Sequence, residues 1–168
     1  MLRKLHEELG VPADYGRNGG PPGYGEAIEL VEVGPNLVGR MQRLTQDTAT
    51  QWQAMVEAAA EQGITLMIVS GYRSIEYQAA LIRSKIDAGQ TIGEILKVNA
   101  APGFSEHHTG RAVDIAAPGS RPLTEEFESS DAFRWLQANA VTFGFSMTYR
   151  RDNPWGFIYE PWHWSVKD

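Results

Sequence analysis

Two short stretches of this chain concentrate the residues that suit metal chemistry. Four histidines occur, His6, His107, His108 and His163, and the last three lie in unusual local sequence. The first stretch runs Ser105-Glu106-His107-His108-Thr109-Gly110-Arg111-Ala112-Val113-Asp114. Gly110 suits a tight turn after the histidines, and the chain then enters a strand-like apolar run. Side chains alternate along a strand, so Ala112 and Asp114 share one face while Val113 and Ile115 share the other. An acid next to small Ala112 leaves room for an ion, and the apolar face anchors the strand. A histidine from one end of the turn and Asp114 from the other then converge on one point.

The second stretch is Glu160-Pro161-Trp162-His163-Trp164. Proline holds Glu160 extended, and the flanking tryptophans form a rigid wall that keeps bulk water away. Two histidines and a carboxylate suit zinc, and three protein ligands leave a fourth position open, as in catalytic rather than structural sites. A nearby carboxylate is then needed to take a proton from water and return it to the leaving amine, and Glu160 is the candidate. Taken singly, each piece has a plainer explanation. A histidine near an acid is usually a hydrogen-bonded pair, alternating tryptophans are usually core, and the residues alone do not choose between His107 and His108.

The elements that must position these groups follow from periodicity and punctuation. A short N-terminal helix precedes a Gly- and Pro-rich loop at residues 15–25. Residues 28–33 alternate like a half-buried strand, and residues 45–62 read as a helix with Thr45 as N-cap, Asp47 in its first turn, and Trp52, Met55, Val56 and Ala59 on its core face. Residues 64–69 suggest a buried strand, 74–88 a helix, 91–98 a short helix and 111–116 a strand. A helix over 131–143, with Phe133, Leu136 and Ala140 inward, strands at 144–149 and 156–159, and a last strand at 162–166 complete the set. Adjacent strands with helices elsewhere predict a single α+β domain, its central antiparallel sheet covered by helices.

Bulk properties narrow the classes. The 168 residues suit one domain, and 42% hydrophobic with 21% charged residues is ordinary for a globular protein. There are no cysteines, which excludes disulfides, thiolate metal sites and cysteine nucleophiles. The net charge of −6 argues against a nucleic-acid binder and makes individual arginines worth following. No run approaches a membrane span, and residues 1–16 lack the apolar centre of a signal peptide, so the expected location is cytoplasmic, or the cell wall if a leader was removed.

Together the motifs closely resemble the VanY-type D-alanyl-D-alanine carboxypeptidases of zinc peptidase family M15. The family pattern Ser-x-His-x-x-Gly-x-Ala-x-Asp is met by Ser105, His107, Gly110, Ala112 and Asp114, and Glu-x-x-His by Glu160 and His163. Ser-Gly-Tyr-Arg-Ser stands at residues 70–74, with Gln78 following. The resemblance covers about residues 64–164 of one domain spanning 1–168, with 1–35 as an N-terminal extension. It implies the fold shared by these peptidases and the hedgehog domain. It further implies zinc on His107, Asp114 and His163, Glu160 as general base and then acid, and Arg73 at the oxyanion or the substrate's terminal carboxylate. Gln78, Ser105 and Trp162 would contact the peptide, while His108 and Glu106 fall at variable positions and read as structural or supporting. The loop at 15–25, or else that at 150–156, is expected to border the cleft.

The expected activity is removal of a C-terminal D-Ala from peptidoglycan stem peptides. Alternatives are an L,D-carboxypeptidase trimming tetrapeptides, a phage-lysin-type endopeptidase, or an inactive hedgehog-like binding module. The partners implied are D-Ala-terminated peptides, with no nucleic acid and no membrane span.

Overall fold

A computed structural model describes residues 1–167. Helix α1 (Leu2–Leu9) is followed by the loop at 15–25, and a hairpin of β1 (Val31–Pro35) and β2 (Met41–Leu44) leads into α2 (Gln46–Glu61). Then come β3 (Met67–Ser70), α3 (Ile75–Asp87), α4 (Ile92–Val98), a 3-10 helix at Glu106–Thr109 and β4 (Ala112–Ala116). A second 3-10 helix (Glu125–Ser129), α5 (Asp131–Asn139), a third (Ala140–Phe143), β5 (Phe145–Met147) and β6 (His163–Val166) finish the chain. Among the described residues the main sheet has four antiparallel strands in the order β3-β4-β6-β5. The fold is thus the α+β arrangement expected.

Helix boundaries are set by local chemistry. Ser74 accepts from the Tyr77 amide at 3.0 Å, Ser130 from the Phe133 amide at 3.1 Å, and Thr91 with Glu94 forms a full capping box. Thr45 occupies the N-cap of α2, but its hydroxyl donates to Thr48 Oγ1 at 3.0 Å rather than capping an amide.

Every residue of β4 is buried. Val113 and Ile115 join Trp164, α2 residues Trp52 and Met55, and α5 residues Phe133 and Leu136 in the main core. On the opposite face lie Asp114 and His163, directly paired across β4 and β6. A smaller core (Leu9, Val11, Ala79, Ile82, Ile95, Ala101) ties the N-terminal helix to α3 and α4 on that side. The site therefore lies between a sheet and a helical layer, each with its own apolar anchor.

Several elements depart from the sequence reading. The first strand begins at Val31, leaving Ile28 98% exposed, because pairing of Val31 with Leu44 of β2 sets the strand. That partner strand had no clear signal. The strand expected from residue 64 starts at Met67. The helix expected over 131–143 changes to 3-10 geometry at Ala140 and stops at Gly144, whose φ is 82°. Residues 156–159 form no strand. The Asn153 side chain takes their place in the hydrogen bonding, donating to Phe157 O at 2.8 Å and accepting from the Trp155 and Phe157 amides at 3.2 Å.

Candidate active site

The 3-10 helix at Glu106–Thr109 presents both histidines to different partners. Ser105 caps it, accepting from the His107 amide at 3.3 Å, and Gly110 ends it with φ 66°. His108 has both ring nitrogens engaged in structure: Nδ1 donates to Arg73 O at 2.7 Å and Nε2 accepts from the Gly103 amide at 3.1 Å. Those bonds need the neutral ring, and burial also holds its pKa down. His107 uses only Nδ1 in this way, donating to Gly71 O at 2.7 Å.

The Nε2 of His107 is buried, has no hydrogen-bond partner, and faces Asp114 Oδ2 at 3.2 Å. Burial, aided by Arg73, lowers the His107 pKa to about 4, so this nitrogen carries a lone pair at neutral pH. A lone pair and a carboxylate oxygen that close in a dry interior repel unless a cation lies between them.

His163 completes the group. Its Nδ1 lies 3.0 Å from Asp114 Oδ1 and its Nε2 2.8 Å from Glu106 Oε2. Burial alone would lower its pKa, but the two carboxylates raise it to about 10, so without metal the ring is an imidazolium donating to both. Asp114 is held well below the ordinary range, since His107 and His163 outweigh its burial. The candidate ligand atoms of His107, Asp114 and His163 all lie within 4.8 Å of one another, and all three residues are buried. Two imidazoles and a carboxylate converging at that separation, with one nitrogen bare, fit a divalent cation with a position left open.

Glu106 lies behind this group. It is buried, and its Oε2 accepts from His163 Nε2 and, at 2.8 Å, from the Thr148 hydroxyl. Its Oε1 takes the Lys167 ammonium and, at 3.4 Å, the Tyr24 hydroxyl. Burial opposes its ionisation, but His163 and Lys167 overcome this and hold the carboxyl well below the usual range. With Nε2 committed to Glu106, His163 can turn only Nδ1 toward a metal.

Arg73, just after β3, is held in place by its backbone: its amide donates to His107 O at 3.1 Å. Its Nη1 donates to Gln78 Oε1 at 3.2 Å, its Nη2 lies 3.5 Å from Asp114 Oδ2, and its buried Nε has no partner. Gln78 is not on the outer face of α3. It is buried, and its amide nitrogen donates to Ala100 O at 2.8 Å, so it is a fixed support for the guanidinium.

A cavity of about 430 Å³ opens onto these groups, bordered by Arg73, Gln78, Ser105, Glu160, Trp162 and the three candidate ligands. Burial, reinforced by Asp114 and Glu106 against the pull of His163 and Arg73, raises the Glu160 pKa to about 7. Trp162 borders the cavity with part of its ring while belonging to the main core. Tyr149 had no signal in the sequence, yet it packs on His163 with ring centroids 4.7 Å apart. Burial and the neighbouring Glu106 and Glu160 push its hydroxyl pKa well up.

Of the two alternative loops expected at the cleft, 150–156 only flanks it, since Tyr149, Phe157 and Ile158 form the border. The loop at 15–25 lies on the other side of the metal group, where Gly23, Tyr24 and Gly25 border a separate hollow next to Glu106.

The VanY family profile, described as D-alanyl-D-alanine carboxypeptidase, matches residues 41–167. A D-alanyl-D-alanine carboxypeptidase of Enterococcus faecalis (strain ATCC 700802 / V583) is 30% identical over 154 residues, covering 86% of this chain and 53% of that protein. The chain spans about half the length of such curated relatives. The LdcB LD-carboxypeptidase structure matches with a TM-score of 0.75 at 30% identity, covering 86% of this chain and 71% of that one. The zinc complex of a VanY D,D-pentapeptidase from a VanB-type resistance cassette matches with a TM-score of 0.68 at 28% identity, covering 87% and 82%. With the profile spanning most of the residues, this chain belongs to the VanY family of D-alanyl-D-alanine carboxypeptidases.

Proposed function

We propose that the protein is a zinc carboxypeptidase that hydrolyses the bond before a C-terminal D-Ala in peptidoglycan stem peptides, residues 1–168 acting as one peptidase domain. The observation that carries this reading is the bare Nε2 of His107 facing Asp114, with His163 Nδ1 completing the donor set. His107 Nε2, Asp114 and His163 Nδ1 would hold the zinc, as the family's zinc-bound relative suggests. Zinc, when bound, polarises a carbonyl and lowers the pKa of water from ~15.7 to about 7.

The remaining work falls to the chain's own side chains. Glu160 takes the proton from the attacking water and delivers it to the leaving amine nitrogen. Burial pushes its carboxyl up to about 7 in the metal-free site, so the protein itself disfavours the ionised form and helps the group take up a proton and pass it on. Arg73, fixed by Gln78 and next to Asp114, places a permanent positive charge where the carbonyl oxygen becomes negative. Trp162 and Tyr149 wall the site from bulk water, and Ser105 and Gln78 set its inner surface. Arg73 and Glu160 beside a complete donor set favour an enzyme over a binding module that has lost catalysis.

A second reading is an L,D-carboxypeptidase acting on tetrapeptides, favoured by the likeness to LdcB. No helix among the described residues is long and apolar enough to cross a membrane. The test is metal analysis of the purified protein together with mass spectrometry of defined tri-, tetra- and pentapeptides. One zinc per chain and loss of one residue from the pentapeptide, abolished by chelation, are expected. Trimming of the tetrapeptide alone would replace the D,D reading with the L,D one.

A further inference from the structure

A second cleft, of about 490 Å³, meets the first at the metal group. Arg73, Leu81, Asp114 and Leu123 border both, so the two form one trough with the candidate reaction centre at its middle. The two arms differ in their walls. The first is closed in by buried residues such as Gln78, Ala100, Ser105 and Phe157. The second is lined by exposed ones, among them Val38, Arg40, Met41 and Tyr77. The last residue of a substrate has no chain beyond it and suits the walled arm, whereas the rest of the peptide must leave through the open one.

Cations dominate the open arm. Arg40 and Arg43 come from the β1–β2 hairpin and join Arg73, while Asp114 is the only acid on the lining. Arg40 donates to the Tyr77 hydroxyl at 3.0 Å, and the Arg43 guanidinium lies 5.5 Å from the centre of the Tyr72 ring. Among the described residues neither Arg40 nor Arg43 forms an ion pair with a carboxylate within 4.0 Å. Two such arginines together in a chain of net charge −6 make a local positive field that attracts anions.

The junction carries strain. Leu123 has φ 56°, in the left-handed region that a leucine rarely adopts, and is 47% exposed at the meeting of the two arms. Its loop is held by Arg121, which bonds Glu126 through its amide at 3.2 Å and its guanidinium at 3.1 Å, and by Thr124 donating to Arg121 O at 2.8 Å. Strain held this way beside a reaction centre marks a residue positioned to touch a ligand.

We infer that the open arm is the binding site for the peptide N-terminal to the cleaved bond, that Arg40 and Arg43 select chains bearing a free carboxylate there, and that Leu123 is the apolar lip over which the chain passes. This inference rests on the carboxypeptidase reading above and deepens it by naming an anionic peptide as the substrate class. An Arg-carboxylate contact open to solvent is modest but directional, and Arg holds carboxylates better than Lys does.

The test compares two peptides ending in D-Ala-D-Ala that differ in one upstream group, a free side-chain carboxylate or its amide. With the zinc-loaded wild type, kcat/KM falls about three- to tenfold on amidation, chiefly through KM, and Arg40→Gln with Arg43→Gln removes that difference while zinc affinity stays the same. Binding of both peptides to zinc-loaded Glu160→Gln, followed by calorimetry, reads the same preference without turnover. Equal binding of acid and amide, or a preference that survives loss of both arginines, overturns the inference. Absence of hydrolysis alongside intact binding preference instead removes the carboxypeptidase reading and leaves the anionic subsite standing.

Discussion

Replacing Glu160 with Gln separates the chemistry of this site from its cost to the fold. The carboxyl moves from its ordinary 4.5 to about 7 on folding, because burial and then the Asp114 and Glu106 charges disfavour its ionisation more than His163 and Arg73 favour it. Below about 4.5 the group is neutral in both folded and unfolded chains. Above about 7 it is ionised in both, and the folded chain must hold a buried charge. The stability linked to this group is therefore present at low pH and lost as the pH rises from about 4.5 to about 7. At ~1.36 kcal/mol per pH unit, the full loss is about 3 kcal/mol. Glutamine keeps the shape and has no charge to bury. Metal-free Glu160→Gln should thus exceed wild type by about 1 kcal/mol at pH 5 and about 3 kcal/mol at pH 8, read from urea unfolding with a shared slope. The same variant, loaded with zinc, should lose about 10²–10⁴-fold in kcat, the span of general acid-base catalysis. A stability gap of the same size at both pH values would refute the electrostatic argument, and wild-type turnover would remove Glu160 from the proton transfer.

Glu106→Gln exchanges a carboxylate for a neutral acceptor against His163 Nε2. Zinc affinity should fall about 10- to 100-fold in chelator competition, whereas an unchanged affinity would make Glu106 a mere packing residue. Zinc must displace the proton that His163 holds with a pKa of about 10. Binding should therefore release at least about one proton at pH 7, and affinity should drop about tenfold or more for each pH unit below that, measured by calorimetry in buffers of different ionisation enthalpy. Release of no proton would contradict the imidazolium assignment. Gly110→Ala forces a side chain onto a backbone with φ 66° and sets its Cβ 2.9 Å from Leu30 and 3.2 Å from Thr45. The expected loss is about 1–3 kcal/mol in unfolding, and a neutral result would show that the turn after His107 can relax.

How much of this was legible depended on how local each signal is. The two short stretches around His107 and His163 stood out by residue type, and alternation along β4 separates Asp114 from the core residues Val113 and Ile115, but only the family resemblance put His107 ahead of His108 as a candidate ligand. The helices were equally readable, since caps such as Ser74 and Ser130 act within one turn. Glu106 looked like a variable neighbour of His107, and nothing nearby reveals that His163, Thr148 and Lys167 gather on its carboxyl. Tyr149 and the arginines of the hairpin were hidden for the same reason, as contacts made across the fold leave no periodic trace. β2 and the true start of β1 depended on which strand each would find as partner.

The direct cross-strand pairing of Asp114 with His163 has a consequence beyond the metal. A slip of one residue between β4 and β6 would turn His163 into the apolar layer and bring Trp164 or Trp162 to the ion, so the sheet cannot drift in alignment without losing both its core and its cation. Correct alignment is thus enforced twice, by oil on one side and by charge on the other.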